Sequence, residues 1–333
     1  MVRCTWQPVS EQDIKMLTCN AFKNILIRMD EELDRIEREL VAETVAEIRK
    51  EFAESDAKRD ANKKTPEDVL RFDNILYGSD SSWQILDVYK PKYMDKKLPV
   101  IVSVHGGAWV YGTKETYQFY CMSLAQQGFA VVNFSYRIAP ENKFPAQLED
   151  TNSVFAWVLQ HQGEYGFDCD NIFAVGDSAG ANLLGLYLAV CSNPSFRKCF
   201  DFDLPEGLRI NAAALNCGKF IMNLDEMVVI RFMAMMKALL DKDSRYSFSD
   251  IDLPSKITPD FPPVLLMTCK GDYLNEEVLP MMKALQKNSV PYQLNFYGTK
   301  DEPLWHVFHC DPDLEQAKLC NKQQCDFFRN HMN

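Results

Sequence analysis

The chain has 333 residues, of which 47% are hydrophobic and 12% aromatic, enough to bury one large core and a smaller accessory region. Its formal net charge of −11 argues against a nucleic-acid-binding surface and against polybasic membrane binding, because both need clustered Lys and Arg. No apolar run approaches the roughly 18 residues that span a bilayer. We therefore expect neither nucleic acid nor a membrane span.

The amino terminus and the cysteines indicate the compartment. Residues 1–6 lack the apolar segment of a signal peptide. The eleven cysteines are scattered without C-x-x-C pairs, which is typical of free thiols in a reducing compartment. The nearest cluster, Cys310, Cys320 and Cys325, matches no metal motif. The sequence predicts a cytoplasmic protein without a metal site.

Helical patterns fill the first part of the chain. Ser10 and Asp13 suit a helix start, and two or more helices are expected between residues 10 and 52. Residues 54–64 carry no apolar periodicity and predict a mobile connector. The apolar stripe of the first helical stretch comprises Ile14, Leu17, Phe22, Ile25 and Met29.

Short apolar runs then alternate with helical or loop-rich stretches. Continuous apolar runs between helices are typical of parallel strands that are covered on both faces. The pattern predicts an α/β fold with an eight-stranded, mostly parallel sheet and helices on both of its faces. The predicted strands are residues 75–77, 83–89, 99–104, 130–134, 172–175, 210–215, 264–268 and 292–296.

A methionine-rich apolar helix is predicted at residues 228–240, between the sixth and seventh predicted strands. A helix that is apolar on almost every side must be covered. Two interpretations stay open. The helix either packs in the core or forms a lid over a ligand cleft, where adaptable Met side chains suit varied apolar groups.

The sequence Gly176-Asp-Ser-Ala-Gly180 breaks a predicted strand and opens an alanine- and leucine-rich helix. A G-x-S-x-G turn between a strand and a helix holds its serine in a strained conformation, and the glycines allow the two elements to approach closely. Ser178 would stand exposed at the first turn of the helix, where unpaired N–H groups favour developing negative charge. It is the candidate nucleophile.

A nucleophilic serine needs a base and a carboxylate that orients the base. Asp272 follows the predicted strand 264–268, and His306 follows the strand 292–296. The order Ser, Asp, His, each after a strand end, is that of an α/β-hydrolase. His309 remains the rival base. A metal site at His306 and His309 lacks a matched third ligand.

Adjacent glycines follow the predicted strand 99–104, in the segment His105-Gly-Gly-Ala-Trp-Val-Tyr-Gly112. Their backbone N–H groups can turn toward one point and bind the oxyanion of a tetrahedral intermediate. For His105 a structural role is favoured, in which the side chain anchors its own loop by hydrogen bonds.

Several of these motifs together resemble the hormone-sensitive-lipase family of α/β-hydrolase esterases, over about residues 99–308. Two departures are visible: Ala108 stands at the family's third glycine, and Asn275 replaces a second acid after Asp272. The motifs are His105-Gly-Gly-Ala108, Tyr136-Arg-Ile-Ala-Pro-Glu141, Gly176-Asp-Ser-Ala-Gly-Ala-Asn182, Gly271-Asp272 and His306-Val-Phe308.

The resemblance implies roles for individual residues. Ser178 would be the nucleophile, His306 the general base and then acid, and Asp272 the group that orients His306. It also implies an N-terminal helical cap segment at residues 1–72 and a catalytic domain at 73–333 with a cap insertion at 217–258. The implied oxyanion donors are the N–H groups of Gly106, Gly107 and Ala179, and the expected pocket lining comprises Trp109, Tyr111, Met233 and Met236.

The expected function is hydrolysis of a small soluble carboxylic ester, with small to medium acyl groups including acetyl, through an acyl-enzyme and without a cofactor. Two alternatives stay open. The same residues would serve an amidase or peptidase, and a catalytically silent receptor for small ligands would share the fold. A homodimer is also open.

Overall fold

The computed structural model describes residues 11–94, 96–222, 230–240 and 242–333. Within them, eight strands form one sheet in the order β1-β2-β4-β3-β5-β6-β7-β8. β2 pairs antiparallel with β1 and with β4, and every other neighbouring pair is parallel. The predicted fold class is confirmed. The strands are β1 (Val69–Leu76), β2 (Ile85–Pro91), β3 (Leu98–Val104), β4 (Ala130–Phe134), β5 (Phe167–Asp177), β6 (Ala212–Asn216), β7 (Val264–Cys269) and β8 (Tyr292–Tyr297).

Helices cover both faces of the sheet, because successive strand residues point to opposite sides. On β3, Val100 and Val102 pack in one buried cluster with α3, α5 and α8. Ile101 packs in another with α2 and α9. The described helices are α1 (Glu11–Asp60), α2 (Lys114–Ala125), α3 (Ala146–Gln160), α4 (Gln162–Tyr165), α5 (Ala179–Ser192), α6 (Pro194–Arg197), α7 (Ile230–Leu239), α8 (Val278–Lys287) and α9 (Glu315–Arg329).

The first strand is longer than the sequence pattern predicts. β1 begins at Val69, inside the segment 1–72 that was expected to belong to the cap. It lies at the edge of the sheet, and Leu70, Phe72 and Leu76 are exposed. An edge strand that is exposed to solvent lacks the continuous apolar run that identifies a buried strand, so residues 69–74 escaped the pattern.

The amino-terminal region differs from its prediction. α1 is a single helix of 50 residues that runs to Asp60, so the expectation of several helices and of a mobile connector at 54–64 is wrong. Tertiary contacts explain the continuation. Arg59 binds Asp56 and Asp60 and donates to the carbonyl of Thr116 on α2. Ser10, the predicted helix cap, lies outside the described residues.

α7 packs against α1. Val45 and Ile48 of α1 and Met236 of α7 belong to the same buried cluster. Glu51 of α1 binds Arg231 at 2.6 Å, and two further ion pairs, Glu37 with Lys237 and Asp34 with Lys242, join α1 to α7 and the segment after it. Residues 223–229, including the start of the predicted methionine-rich helix, lie outside the described residues.

Candidate active site

Ser178 lies at the sharp turn between β5 and α5. Its backbone has φ 52° and ψ −121°, a strained conformation for a residue with a side chain. The flanking glycines allow this turn, because a Cβ on Gly176 would lie 2.6 Å from the carbonyl oxygen of Gly180, and one on Gly180 would lie 2.2 Å from that of Val104. The Ser178 N–H donates to the Asn216 carbonyl on β6 at 3.0 Å. The turn is therefore held by both neighbouring strands.

Asp272 is buried just beyond β7. Its Oδ1 lies 2.7 Å from Nδ1 of His306 and accepts from the Leu274 N–H at 2.9 Å, while Oδ2 accepts from Thr268 Oγ1 at 2.8 Å. Burial by itself raises the pKa of Asp272, but the hydrogen bond and charge of His306, with the other two donors, lower that pKa overall. The carboxyl group is therefore held ionised.

Three further contacts place His306 beside Asp272. Gly271 forms a bridge with Trp305, and the Cys269 thiol donates to the Trp305 carbonyl at 3.3 Å. The ring of Tyr273 lies against the imidazole, with centroids 4.5 Å apart. The loop that carries His306 is thus tied to the carboxyl end of β7.

The rival base, His309, is fully buried elsewhere. Its Nε2 lies 3.6 Å from Sγ of Cys310, and its ring meets the edge of Tyr120. It makes no hydrogen bond to Asp272. His306 is therefore the histidine that the structure brings to the predicted carboxylate.

Ser178 and His306 line the same cavity, of about 220 Å³. No hydrogen bond joins their side chains, although both are among the described residues; such contacts often tighten only when a substrate is bound. The structure brings Ser178, Asp272 and His306 to one rim of the sheet, at the carboxyl ends of parallel strands, where ligands bind in open α/β sheets.

One predicted oxyanion donor is wrong. The Gly106 N–H donates to Oη of Tyr117 at 2.9 Å, and that hydroxyl donates to Oδ2 of Asp177 at 2.7 Å. Gly106 therefore has no N–H left for a substrate. Ala108, two positions further along the chain and at φ 54°, lines both cavities that contain Ser178.

Within the described part of the chain, the N–H groups of Gly107, Ala108 and Ala179 donate to no acceptor. Gly107 has φ 113°, and a Cβ there would lie 2.1 Å from the Tyr111 carbonyl oxygen, so only glycine fits. Ala108 was not among the oxyanion donors predicted from the sequence, although it occupies the third position of the glycine motif.

His105 anchors the glycine loop, as predicted. Its Nδ1 lies 2.7 Å from the Gly106 carbonyl oxygen, and its ring stacks on Tyr136 at 4.0 Å between centroids. Burial lowers the pKa of His105 to about 4, so the ring is neutral near pH 7. A neutral imidazole there is a fixed structural support.

A second cavity, of about 580 Å³, also opens at Ser178. Trp109 lines it, and Tyr111 lines the smaller cavity. The predicted methionines lie elsewhere: among the described α7 residues Met235 faces the large cavity, whereas Met236 lines a separate cavity beside α1 and Met233 lines neither cavity at Ser178. The apolar lining of the large cavity comprises Ile48, Phe52, Ala108, Trp109, Ala179, Phe232, Met235 and Leu274.

Comparison with known proteins shows similarity to esterases. Residues 86–219 match the BD-FAE family model. Esterase LipC of Mycobacterium tuberculosis is 35% identical over 135 residues, which are 40% of this chain and 32% of LipC. Versiconal hemiacetal acetate esterase of Dothistroma septosporum is 26% identical over 250 residues, 70% of this chain and 73% of that enzyme. The chain thus spans about a third of LipC and about three quarters of the second relative.

Solved structures agree over more of the chain. Esterase B of Lactobacillus rhamnosis aligns with a TM-score of 0.81 at 24% identity, over 89% of this chain and 96% of that one. The carboxylesterase EstE1 aligns with a TM-score of 0.69 at 22% identity, over 87% and 98%. The chain has the α/β-hydrolase fold and is similar to esterases in sequence.

In the part of the chain that the structure describes, two groups offer metal-ligating atoms within 4.8 Å of one another: the buried Asp177, His309 and Cys310, and the buried Cys217 and Asp272 with the partly buried His306. Burial raises the pKa of both thiols well above the usual value, so each stays protonated and is a poor ligand. The side chains of these two groups are therefore better suited to hydrogen bonding within the protein interior than to binding a metal ion.

The α/β-hydrolase also carries site residues that the sequence patterns did not reveal. Phe52, Asp56 and Arg59 of α1 line the smaller cavity. These residues are four and three positions apart, so they lie on one face of the helix. That spacing was the feature of the sequence from which they could have been predicted. Among the described residues, no helix combines the length and apolar character needed to cross a bilayer.

Proposed function

We propose that this α/β-hydrolase is a serine carboxylesterase that cleaves esters of small to medium acyl groups through an acyl-enzyme. One observation carries the proposal: Ser178 sits in a strained elbow and faces the same cavity as His306, whose Nδ1 is hydrogen-bonded to Asp272. The relatives named above are esterases, which supports the same reaction class.

In the first step, Ser178 Oγ attacks the ester carbonyl carbon as its proton passes to Nε2 of His306. Asp272 accepts the Nδ1–H bond, which leaves the Nε2 lone pair free and stabilises the imidazolium that forms. The negative charge on the carbonyl oxygen is met by the N–H groups of Gly107, Ala108 and Ala179 and by the amino-terminal end of α5.

In the second step, the tetrahedral intermediate collapses. His306 returns its proton to the leaving alkoxide, the carbon–oxygen bond to the alcohol breaks, and the acyl group stays on Ser178. Water then repeats the sequence: His306 takes a proton from it, the hydroxide attacks the acyl carbon, and Ser178 Oγ leaves with that proton. These steps use only side chains and backbone groups of this chain.

The cap belongs to this proposal. The residues before β1 and the insertion 217–258 would cover the site, and the rest of the chain from β1 onward would form the catalytic domain. α1 and α7 contribute walls of the larger cavity. A cavity of about 580 Å³ with an apolar lining accepts acyl chains longer than acetyl. Acetate is the acyl group in the name of the Dothistroma relative, and it is the smallest member of the proposed range.

The test is hydrolysis of p-nitrophenyl esters with acyl chains of two to eight carbons, by the wild type and by Ser178→Ala. We expect turnover by the wild type and a fall of at least about 10⁴-fold in kcat for the variant, as is found when a serine nucleophile is removed. A matched p-nitroanilide that reacts faster than the ester would make the protein an amidase. Binding of the esters without turnover by the wild type would make it a receptor.

A further inference from the structure

α1 brings a carboxylate, that of Asp56, to the smaller cavity that Ser178 also lines. We infer that this cavity holds the alcohol part of the substrate and that Asp56 selects alcohols that carry a hydrogen-bond donor beyond the ester oxygen. The inference rests on the proposed esterase function and names the substrate class of that site.

The leaving oxygen must lie beside Nε2 of His306, because this imidazole protonates it. His306 and Val307 line the smaller cavity and not the larger one, whereas the free N–H donors lie at both: Gly107 at the smaller, Ala179 at the larger and Ala108 at each. With the carbonyl carbon at Ser178, where the two cavities meet, the alcohol therefore extends into the smaller cavity and the acyl chain into the larger one.

Asp56 is held in a fixed orientation at the wall of the smaller cavity. Its Oδ1 accepts from Arg59 Nη1 at 2.9 Å, and its Oδ2 accepts from Oη of Tyr111 at 3.0 Å. Each carboxylate oxygen can accept two hydrogen bonds, so one position on each oxygen is left for a ligand. The side chain is 23% exposed, which leaves room for that contact.

The charge of the cavity wall favours neutral or cationic alcohols over anionic ones. Arg59 is already bound to Asp56, to Asp60 at 2.6 Å and to the Thr116 carbonyl at 2.5 Å. Asp177 adds a further carboxyl group to the lining. Among the described lining residues Arg59 is the permanent cation, and four of its five N–H groups are already engaged, so it is poorly placed to receive an acidic alcohol.

The volume of the smaller cavity and its aromatic side chains restrict the class of alcohol further. About 220 Å³ is below the range of pockets for drug-sized ligands, so the alcohol is small. Phe52, Tyr111 and Tyr273 provide aromatic walls, which suit the carbon faces of a polyol and also an alkylated ammonium group. Both classes present donors to Asp56.

The experiment compares esters with one acyl group and matched alcohols. The first pair is the 1-butanoate of glycerol and propyl butanoate, which differ by two hydroxyl groups. The second pair is the butanoate of 2-(dimethylamino)ethanol and 3-methylbutyl butanoate, which differ by one protonated nitrogen. We expect the wild type to favour the donor-bearing member of at least one pair by about tenfold or more in kcat/KM, mostly through KM, as for a hydrogen bond to a charged group. The pair with the larger ratio of kcat/KM values shows whether Asp56 prefers a hydroxyl or an ammonium donor.

In Asp56→Asn the ratio of kcat/KM for the donor-bearing ester to kcat/KM for its matched partner should fall about tenfold. Glu54→Gln makes the same charge change at an exposed position of α1 that lines neither cavity, and it should keep the wild-type ratio. Tyr111→Phe removes the donor that orients Asp56 and should lower the ratio in the same direction, so a poorly folded Asp56→Asn does not end the test.

Equal rates within both pairs, in an enzyme that hydrolyses all four esters, would overturn the inference and leave the esterase proposal standing. The same holds if Asp56→Asn and Tyr111→Phe both keep the wild-type ratio. Failure of the wild type to hydrolyse these esters and the nitrophenyl esters would instead overturn the proposed function.

Discussion

Nδ1 of His306 lies 2.7 Å from Oδ1 of Asp272, although 34 positions separate the two residues in the chain. Because Asp272 accepts this bond, the proton of a neutral His306 resides on Nδ1, and Nε2 is left as an acceptor. Asp272 is itself held by Thr268 and Leu274. The orientation of the proposed base thus depends on a carboxylate that is fixed at three points.

Asp272→Asn should lower kcat for ester hydrolysis by about 10⁴-fold, because an amide nitrogen facing Nδ1 favours the wrong tautomer of His306. Steady-state kinetics on a butanoate ester measures the change. Glu276→Gln, at an exposed position close by, is the matched control and should stay within about twofold of wild type. An Asp272→Asn enzyme with a tenth of the wild-type kcat would exclude this role for Asp272.

Tyr117→Phe should lower both stability and kcat. The hydroxyl accepts from the Gly106 N–H and donates to Asp177, so its loss leaves a buried donor unpaired at a cost of about 1–3 kcal/mol and loosens the loop that carries Gly107 and Ala108. Urea denaturation measures the first effect and kcat the second. A higher kcat in the variant would mean that Gly106, freed of Tyr117, serves as an oxyanion donor.

Arg49→Met should weaken the attachment of α1 to the catalytic domain. The Arg49 guanidinium donates to the carbonyls of Val110 at 2.7 Å and Ala139 at 2.9 Å and forms a double contact with Glu141. Hydrogen bonds from a charged group contribute about 1.5–3 kcal/mol each in favourable cases, so we expect a loss of a few kcal/mol in the free energy of unfolding.

The control for Arg49 is Arg35→Met. Arg35 pairs only within α1, with Glu32 and Glu39, and is exposed, so its loss should cost less than about 1 kcal/mol. Thermal denaturation of both variants separates a specific attachment from a general effect of charge. Equal losses for the two variants would contradict the attachment.

The stability of the protein should fall with acidity because of His309. Burial lowers the pKa of His309 to about 3, whereas an unfolded histidine has a pKa of about 6.5. Between these two pKa values the unfolded state binds a proton at His309 and the native state does not. The contribution of His309 to the free energy of unfolding is therefore complete above pH 6.5 and is lost as the pH falls toward 3. Between pH 7.5 and 5 this contribution amounts to about 2 kcal/mol.

Urea unfolding of the wild type and of His309→Gln at several pH values measures this contribution. The quantity to follow is the free energy of unfolding of the wild type minus that of His309→Gln. Whatever its value at pH 7.5, this difference should move by about 2 kcal/mol in favour of the variant when the pH is lowered to 5. Parallel pH profiles for the two proteins would contradict the assignment.

Much of the architecture was predictable from local patterns. Buried parallel strands are continuous apolar runs, so all eight strands were located, but residues 69–74 of β1 and residues 167–171 of β5 were missed. Ser178, Asp272 and His306 were candidates because each follows a strand end. Their roles remain a proposal, but their proximity follows from parallel strands that end at one edge of the sheet.

Other features depend on contacts between distant segments. α1 continues to Asp60 because Arg59 binds partners on α1 and α2, and a charged run without apolar periodicity carries no sign of such contacts. Whether the Gly106 N–H is free depends on the hydroxyl of Tyr117. Which methionine of α7 faces the large cavity depends on how that helix is rotated against α1.

The sequence by itself determined the strand order along the chain, the elbow at Ser178 and the residue types of the site, because periodicity and backbone strain are local properties. Tertiary structure alone decided which backbone N–H groups remain unpaired and that Asp56 lines the same cavity as Ser178. Those outcomes depend on how helices far apart in the chain pack on the sheet, and packing is decided by the whole set of burial and hydrogen-bonding contacts at once.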